Sequence, residues 1–218
     1  MKKTLIFLLV AFLSFGCGSE PEYGTPDPTV PKLFNGVEGV ELINLDLFET
    51  FVSQGVPAEP LKKALLYLQE NDQYVKNKDY MTLVDFSKHS SKARFYLLDL
   101  VNQTHEVLHV AHGKGTDPGH TGYAKYFSNV HNSKKSSLGI YLTAERYWGS
   151  NGLSMRLDGK EASNSNARSR YIVVHGAKYV SPGRSIQGRS WGCPAVAMNK
   201  INSVVEQTEN GSILYAFK

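Results

Sequence analysis

From Tyr80 onward the chain is written in short runs of β-branched and aromatic residues, and that texture points to a domain built on strands. Tyr80 to Phe86, Arg94 to Leu100 and Glu106 to Ala111 are such runs, continued by Leu138 to Thr143, Ser154 to Leu157, Tyr171 to Val174 and Ser212 to Phe217. Gly, Asn, Ser and Asp cluster between them, as turns between strands require. Two helices are expected earlier, over Leu45 to Gln54 and Pro60 to Asn71. In the second, Leu61, Ala64, Leu65 and Leu68 recur at helical spacing, with Pro60 in the first turn. One more helix, about Asn199 to Glu209, precedes the last strand. The expected class is mainly β with helices at the edges, and the chain shows no internal repeat.

The N-terminus reads as an export signal. Lys2 and Lys3 precede an apolar run from Leu5 to Phe15, too short for a bilayer span of roughly 20 residues but suited to a signal-peptide core. The run ends at Leu13-Ser14-Phe15-Gly16-Cys17, which resembles a bacterial lipobox with Ser14 where an aliphatic residue is usual. That resemblance implies a signal over 1–16 and lipidation of Cys17; without it, Cys17 is a plain thiol able to pair with Cys193. Gly18, rather than Asp, after the Cys favours an outer-membrane anchor. Residues 17–40 then form a tether, with Pro21, Pro26, Pro28 and Pro31 among small and polar residues. Such a chain advances about 3.1 Å per residue. A helical prelude over 41–79 and a catalytic domain over 80–218 complete the expected organisation.

Charge excludes one class of function. Removing Lys2 and Lys3 from the 24 basic residues leaves the chain near +2 against 20 acidic ones. No basic block or recognition helix marks a nucleic-acid surface.

Cys193 is the residue with chemistry to explain. With Cys17 lipidated it is the one free thiol of the mature chain, and structural cysteines outside the cytoplasm normally come in pairs. A buried small hydrophobe is the ordinary role of a lone Cys. The approach Gly188-Arg189-Ser190-Trp191-Gly192-Cys193 describes a tight loop instead. His175, expected at the end of the strand Tyr171 to Val174 and followed by Gly176, is the available base. An imidazolium beside a thiol stabilises the thiolate, and the N–H groups of Gly192 and Cys193 could form an oxyanion hole.

A second motif competes. His105-Glu106-Val107-Leu108-His109 matches the H-E-x-x-H pattern of zinc peptidases, which requires a helix to set both His on one face. The segment follows the turn-like Val101 to Thr104 and precedes Gly113, in surroundings that read as a β-hairpin. His112 stands where the longer zinc pattern has Gly. The zinc reading is therefore the weaker one.

His175-Gly176-Ala177 followed by Ser190-Trp191-Gly192-Cys193 resembles the H-G … S-x-G-C signature of bacterial L,D-transpeptidases of the YkuD type. Val84 to Ser87, Ala111 to Lys114, Ser136 to Gly139, Arg156 to Gly159 and Asn166 to Arg170 extend the likeness over about Tyr80 to Lys218. The resemblance implies a β-sandwich-like catalytic domain whose Cys193 attacks peptidoglycan stem peptides. It makes His175 the base, the Gly176 carbonyl its orienting partner, and Ser190 a brace for the loop. Covalent catalysis by such a pair needs no metal or cofactor.

Two positions depart from the family pattern. Trp191 stands where a second His is usual, and Ala195 where an Arg is usual. Arg184 or Arg189 could replace that Arg as a carboxylate clamp, His112 could supply the missing His, and Trp191 and Tyr141 could line the cleft. The resulting expectation is a monomeric, lipid-anchored periplasmic L,D-transpeptidase. L,D-carboxypeptidase or endopeptidase activity at the same site is the alternative, as is a non-catalytic peptidoglycan-binding lipoprotein.

Overall fold

The computed structural model describes residues 44–218; the signal, Cys17 and the tether expected over 17–40 lie outside the described residues. Helix α1 (Leu45–Ser53) starts at Asn44, whose side-chain oxygen accepts the Leu47 N–H at 3.0 Å. This satisfies one of the donors that a first helical turn leaves free. Helix α2 (Ala58–Glu70) carries Pro60 in its first turn, where an N–H would have no intrahelical partner anyway.

Nine strands follow: β1 (Tyr80–Asp85), β2 (Phe95–Asp99), β3 (Thr104–Leu108), β4 (Val110–Ala111), β5 (Gly139–Gly149), β6 (Gly152–Gly159), β7 (Val173–Ala177), β8 (Ala195–Ala197) and β9 (Ile213–Phe217), with helix α3 (Ile201–Thr208) between the last two. All join one sheet in the order β3-β2-β1-β9-β5-β6-β7-β8-β4. The mainly β class expected from the strand texture is what forms.

The order dictates the shape. β3 and β4 are the two edges of the sheet, yet only His109 separates them in the chain. Leu108 and Val110 can stand no more than about 7 Å apart, so the sheet must curl until its edges approach. Arg94 sits at this seam, fully buried. Its N–H donates to the Leu108 carbonyl of β3 at 2.9 Å. Its guanidinium donates to the Val110 carbonyl of β4 at 3.1 Å and to the Lys88 carbonyl at 2.6 Å. A buried cation is tolerated here because carbonyls and the Phe86 ring surround it.

Period-two alternation gives the sheet two buried faces. Val84, Phe95, Leu97, Tyr141 and Leu214 point into an interior core, which α3 joins through Ile201, Val204 and Val205. Their neighbours Met81, Leu83, Tyr96, Leu98, Ile140, Leu142 and Ile213 point the other way and pack with Phe51 of α1 and Leu61, Ala64 and Tyr67 of α2. Each fully buried side chain of this kind contributes about 1.5–3 kcal/mol. The helices over 45–70 are therefore part of the same packed body as the strands.

Three details differ from the expectations. The run Glu106 to Ala111 is two strands, broken at His109 where the chain passes from one edge to the other. β8 was not expected, because Ala-Val-Ala carries almost no strand signal. His175 lies in the middle of β7 rather than after it. Tyr171 has φ of +58°, a left-handed conformation that cannot belong to a strand, so the strand begins later and runs on to Ala177. The H-E-x-x-H segment is strand β3 and its exit, paired to β2 with His105 opposite Leu98. His105 Nδ1 lies 3.0 Å from Gln54 Oε1 and His109 Nε2 lies 3.1 Å from the Ser91 carbonyl. The helix that zinc chemistry needs does not form there.

Candidate active site

Cys193 ends a loop pinned on both sides. Ser190 forms a parallel bridge with Gly113: its N–H donates to the His112 carbonyl at 3.0 Å, and its carbonyl accepts the Lys114 N–H at 2.7 Å. The Ser190 hydroxyl donates to the Cys193 carbonyl at 2.6 Å and accepts the Gly192 N–H at 3.1 Å. Ser136 Oγ donates to the Gly192 carbonyl and accepts the Gly113 N–H, both at 3.0 Å. Gly192 has φ of +127°, and a Cβ there would sit 2.8 Å from the Lys135 carbonyl oxygen. Only glycine fits. The expectation that the Gly192 N–H faces a reacting carbonyl is corrected: Ser190 holds that N–H inside the loop.

His175 is delivered by β7, opposite Ala195 of β8 in parallel register. It is therefore carried beside the strand that Cys193 introduces, and both side chains line the same cleft. His175 Nδ1 lies 2.9 Å from the Gly176 carbonyl oxygen. A carbonyl only accepts, so Nδ1 carries the ring proton and Nε2 keeps its lone pair. Gly176 is small for a packing reason: a Cβ would stand 3.0 Å from Met198 Sδ and 3.1 Å from Ile201 Cγ2.

Burial sets the charge state of both groups. It pushes the Cys193 thiol up, against the pull of the Val173 N–H, the Arg170 guanidinium and its own N–H. It pushes His175 down, against the Gly176 carbonyl. Both shifts favour the neutral thiol and neutral imidazole at rest, not the thiolate–imidazolium pair that sequence reasoning supposed. The Cys193 sulfur lies 3.6 Å from the Tyr171 carbonyl oxygen, which holds the thiol proton in the resting state.

The cleft has a volume of about 670 Å³. Trp191 and Tyr171 stand on it with 74% and 73% of their surfaces exposed. Ser150 and Asn151, at the tip of the β5–β6 hairpin, also line it. Among the described residues its cations are Lys134, Arg170 and Arg189, and no carboxylate lines it.

The remaining expected residues divide. Arg189 lines the cleft and donates through Nη1 to the Pro118 carbonyl at 3.0 Å and to that of Asp117. Arg184 is exposed and outside the cleft lining. His112 does not line the cleft: it is 1% exposed, accepts from Arg94 Nη2 at 2.8 Å through Nδ1, and sets Nε2 3.5 Å from Asp117 Oδ2. Burial and the Arg94 charge push its pKa down to about 4. Its contribution is backbone and scaffold, through the carbonyl that holds Ser190. Tyr141 is also buried; its hydroxyl contacts Ser137 Oγ at 2.7 Å and donates to the Ser137 carbonyl at 2.9 Å.

Sequence reasoning missed Arg170 as a site residue. Its guanidinium donates to the Ser128 carbonyl at 2.7 Å and the Lys135 carbonyl at 2.6 Å, and its charge reaches the Cys193 thiol. Its place in a motif was visible, but nothing in the sequence put it in the same cleft as the thiol. Among the described residues, no group of three His, Cys, Asp or Glu side chains could hold a metal ion.

A family model described as the L,D-transpeptidase catalytic domain matches residues 52–217. The chain belongs to that family. Solved structures of L,D-transpeptidases are similar at low identity. One from Mycobacterium tuberculosis is 13% identical over 64% of this chain and 58% of its own, with a TM-score of 0.43. One from Mycobacterium smegmatis is 9% identical over 64% and 59%, with a TM-score of 0.40. A protein of Bdellovibrio bacteriovorus is 14% identical over 68% and 50%, with a TM-score of 0.39. This chain thus spans less than two thirds of each of those chains. No curated protein matches it. Membership of the L,D-transpeptidase family rests on the family match, which begins inside α1 and so takes in α2 as well as the strands.

Proposed function

We propose that this member of the L,D-transpeptidase family is a cysteine-dependent acyl transferase acting on peptidoglycan stem peptides. The observation that carries the reading is the tautomer of His175: the Gly176 carbonyl fixes the proton on Nδ1, leaving Nε2 as the base in the cleft that also holds Cys193. His175 Nε2 takes the thiol proton as the sulfur attacks the carbonyl carbon of the third-position diamino acid. The C–N bond to D-alanine breaks, the imidazolium returns its proton to the leaving amine, and a thioester remains on Cys193. An amine of a second stem peptide then attacks the thioester. Its proton passes to His175, the C–S bond breaks, and the thiolate regains the proton.

Water in place of the amine gives L,D-carboxypeptidase activity at the same site. The signal and lipobox over 1–17 support an exported, lipid-anchored protein facing the periplasm from the outer membrane, and the reading takes it as a monomer.

The test is product analysis with a disaccharide-tetrapeptide. A cross-linked dimer identifies the transferase, and a trimmed tripeptide identifies the hydrolase. Substrate recovered unchanged, in the presence of an acceptor, contradicts both and favours a wall-binding role.

A further inference from the structure

Among the described residues the cleft carries positive charge with no carboxylate in its lining, and the three cations that line it are not equivalent. Arg170 is committed to the carbonyls of Ser128 and Lys135. Arg189 gives one arm of its guanidinium to Asp117 and Pro118. Lys134 is exposed, and among the described residues its ammonium has no ion pair; it stands 4.7 Å from the centroid of the Trp191 ring.

The backbone under Lys134 is built for this placement. Its φ is +54°, and Asn132 two residues earlier has φ of +57°. A non-glycine residue held in that region is strained, and such strain persists only where surrounding contacts enforce it. Here they do. The Lys134 carbonyl accepts the Gly115 N–H at 2.8 Å, and a Cβ on Gly113 would lie 2.4 Å from the same oxygen. The strained segment is thus clamped to the turn after β4, whose Gly113 bridges Ser190 of the nucleophile loop, and it sends the ammonium across a tryptophan two residues from Cys193.

We propose that Lys134, steered by Trp191, is the residue that selects a substrate carboxylate in this cleft, with Arg189 as the second cation. The proposal rests on the stem-peptide reading above and names the feature of the substrate that this chain reads. Trp191 is a positioning residue in it: the ring face attracts the ammonium and keeps it beside the nucleophile without neutralising it. Two carboxylates of a stem peptide have the right chemistry, the free terminus of the leaving residue and a carboxylate on the side chain of the third residue.

The test compares the tetrapeptide acid, its C-terminal amide, and an analogue with lysine at the third position, against the wild type, Lys134→Met and Lys134→Arg. Met keeps the unbranched stem and the backbone strain and removes the ammonium. For the wild type, removing the recognised carboxylate should raise KM and lower kcat/KM about tenfold or more, as losing one charge-assisted contact does. The amide arm reports the terminal carboxylate and the lysine arm the side-chain one. Lys134→Met should lose the same factor on the acid and nothing further on the affected analogue, and Lys134→Arg should restore the preference.

Equal turnover of all three peptides by the wild type, or an equal loss on all three in Lys134→Met, overturns the clamp while leaving the transpeptidase reading intact. Calorimetry of the same peptides with Cys193→Ala reads the clamp without chemistry. Carboxylate-dependent binding that vanishes on adding Lys134→Met supports it even where the thiol mechanism fails. Binding by Cys193→Ala that is indifferent to either carboxylate overturns it.

Discussion

The side chain of His175 and the backbone of Gly176 form a two-residue unit in which Nδ1 donates to the next carbonyl at 2.9 Å. A base is oriented here by its own strand, where many hydrolases use a separate carboxylate. His175→Ala should therefore lose about 10²–10⁴ in acylation rate, measured as stopped-flow thioester formation. A loss under tenfold would mean that another group moves the proton.

The neutral resting pair has a consequence for reactivity. Burial raises the Cys193 thiol above its ordinary value of 9.0, so little thiolate exists at pH 7. Alkylation by iodoacetamide without substrate should be slow at neutral pH and rise with a midpoint above pH 9. A rate already at its plateau between pH 5 and 8 would instead show a thiolate–imidazolium pair.

Ser190 braces the nucleophile loop from inside. Ser190→Ala removes the donor to the Cys193 carbonyl and the acceptor of the Gly192 N–H, costing about 1–3 kcal/mol. Because a misplaced nucleophile is penalised more than a misplaced binding group, kcat should fall roughly tenfold or more with KM little changed. A purely stabilising role would lower the melting temperature and leave kcat of the folded fraction alone.

His112 makes stability depend on pH. Its folded pKa is pushed down to about 4 from an ordinary 6.5, first by burial and then by Arg94, with Asp117 opposing. The unfolded chain thus binds the proton between those values while the folded one does not. The stabilisation is complete above pH 6.5 and lost as pH falls toward 4, by about 3 kcal/mol. Urea melts across that window should show the slope, and His112→Gln should flatten it. A slope unchanged in the variant would assign it to other groups.

The helices before the strands share their core. Phe51→Ala should cost about 3–5 kcal/mol and lower the single unfolding midpoint seen by both circular dichroism and Tyr/Trp fluorescence. A variant that melts its helices first, with the strands unaffected, would show two separate bodies.

Much of this arrangement was legible in the residues. The strand texture was visible because β-branched and aromatic runs are what strands buried on both faces require, and Cys193 and His175 stood out as the thiol and the base. What escaped detection depends on contacts distant in sequence. Nothing local says that His109 is where the chain passes between sheet edges, and Ala195-Val196-Ala197 has no strand signature. The direction of the Gly192 N–H is decided by the Ser190 hydroxyl, and Lys134 reads as a loop charge until Trp191 is found beneath it. His112 looked like a spare catalytic histidine because a sequence does not show that Arg94 and Asp117 enclose it.

The central claim is that Cys193 is acylated by a peptide carbonyl with His175 as its base. Intact-protein mass spectrometry after mixing with a disaccharide-tetrapeptide tests it most directly. The account predicts an adduct equal to the peptide minus D-alanine, present in the wild type, absent in Cys193→Ala and strongly reduced in His175→Ala. Turnover of the tetrapeptide that persists in Cys193→Ala, with no adduct in any form, would contradict it.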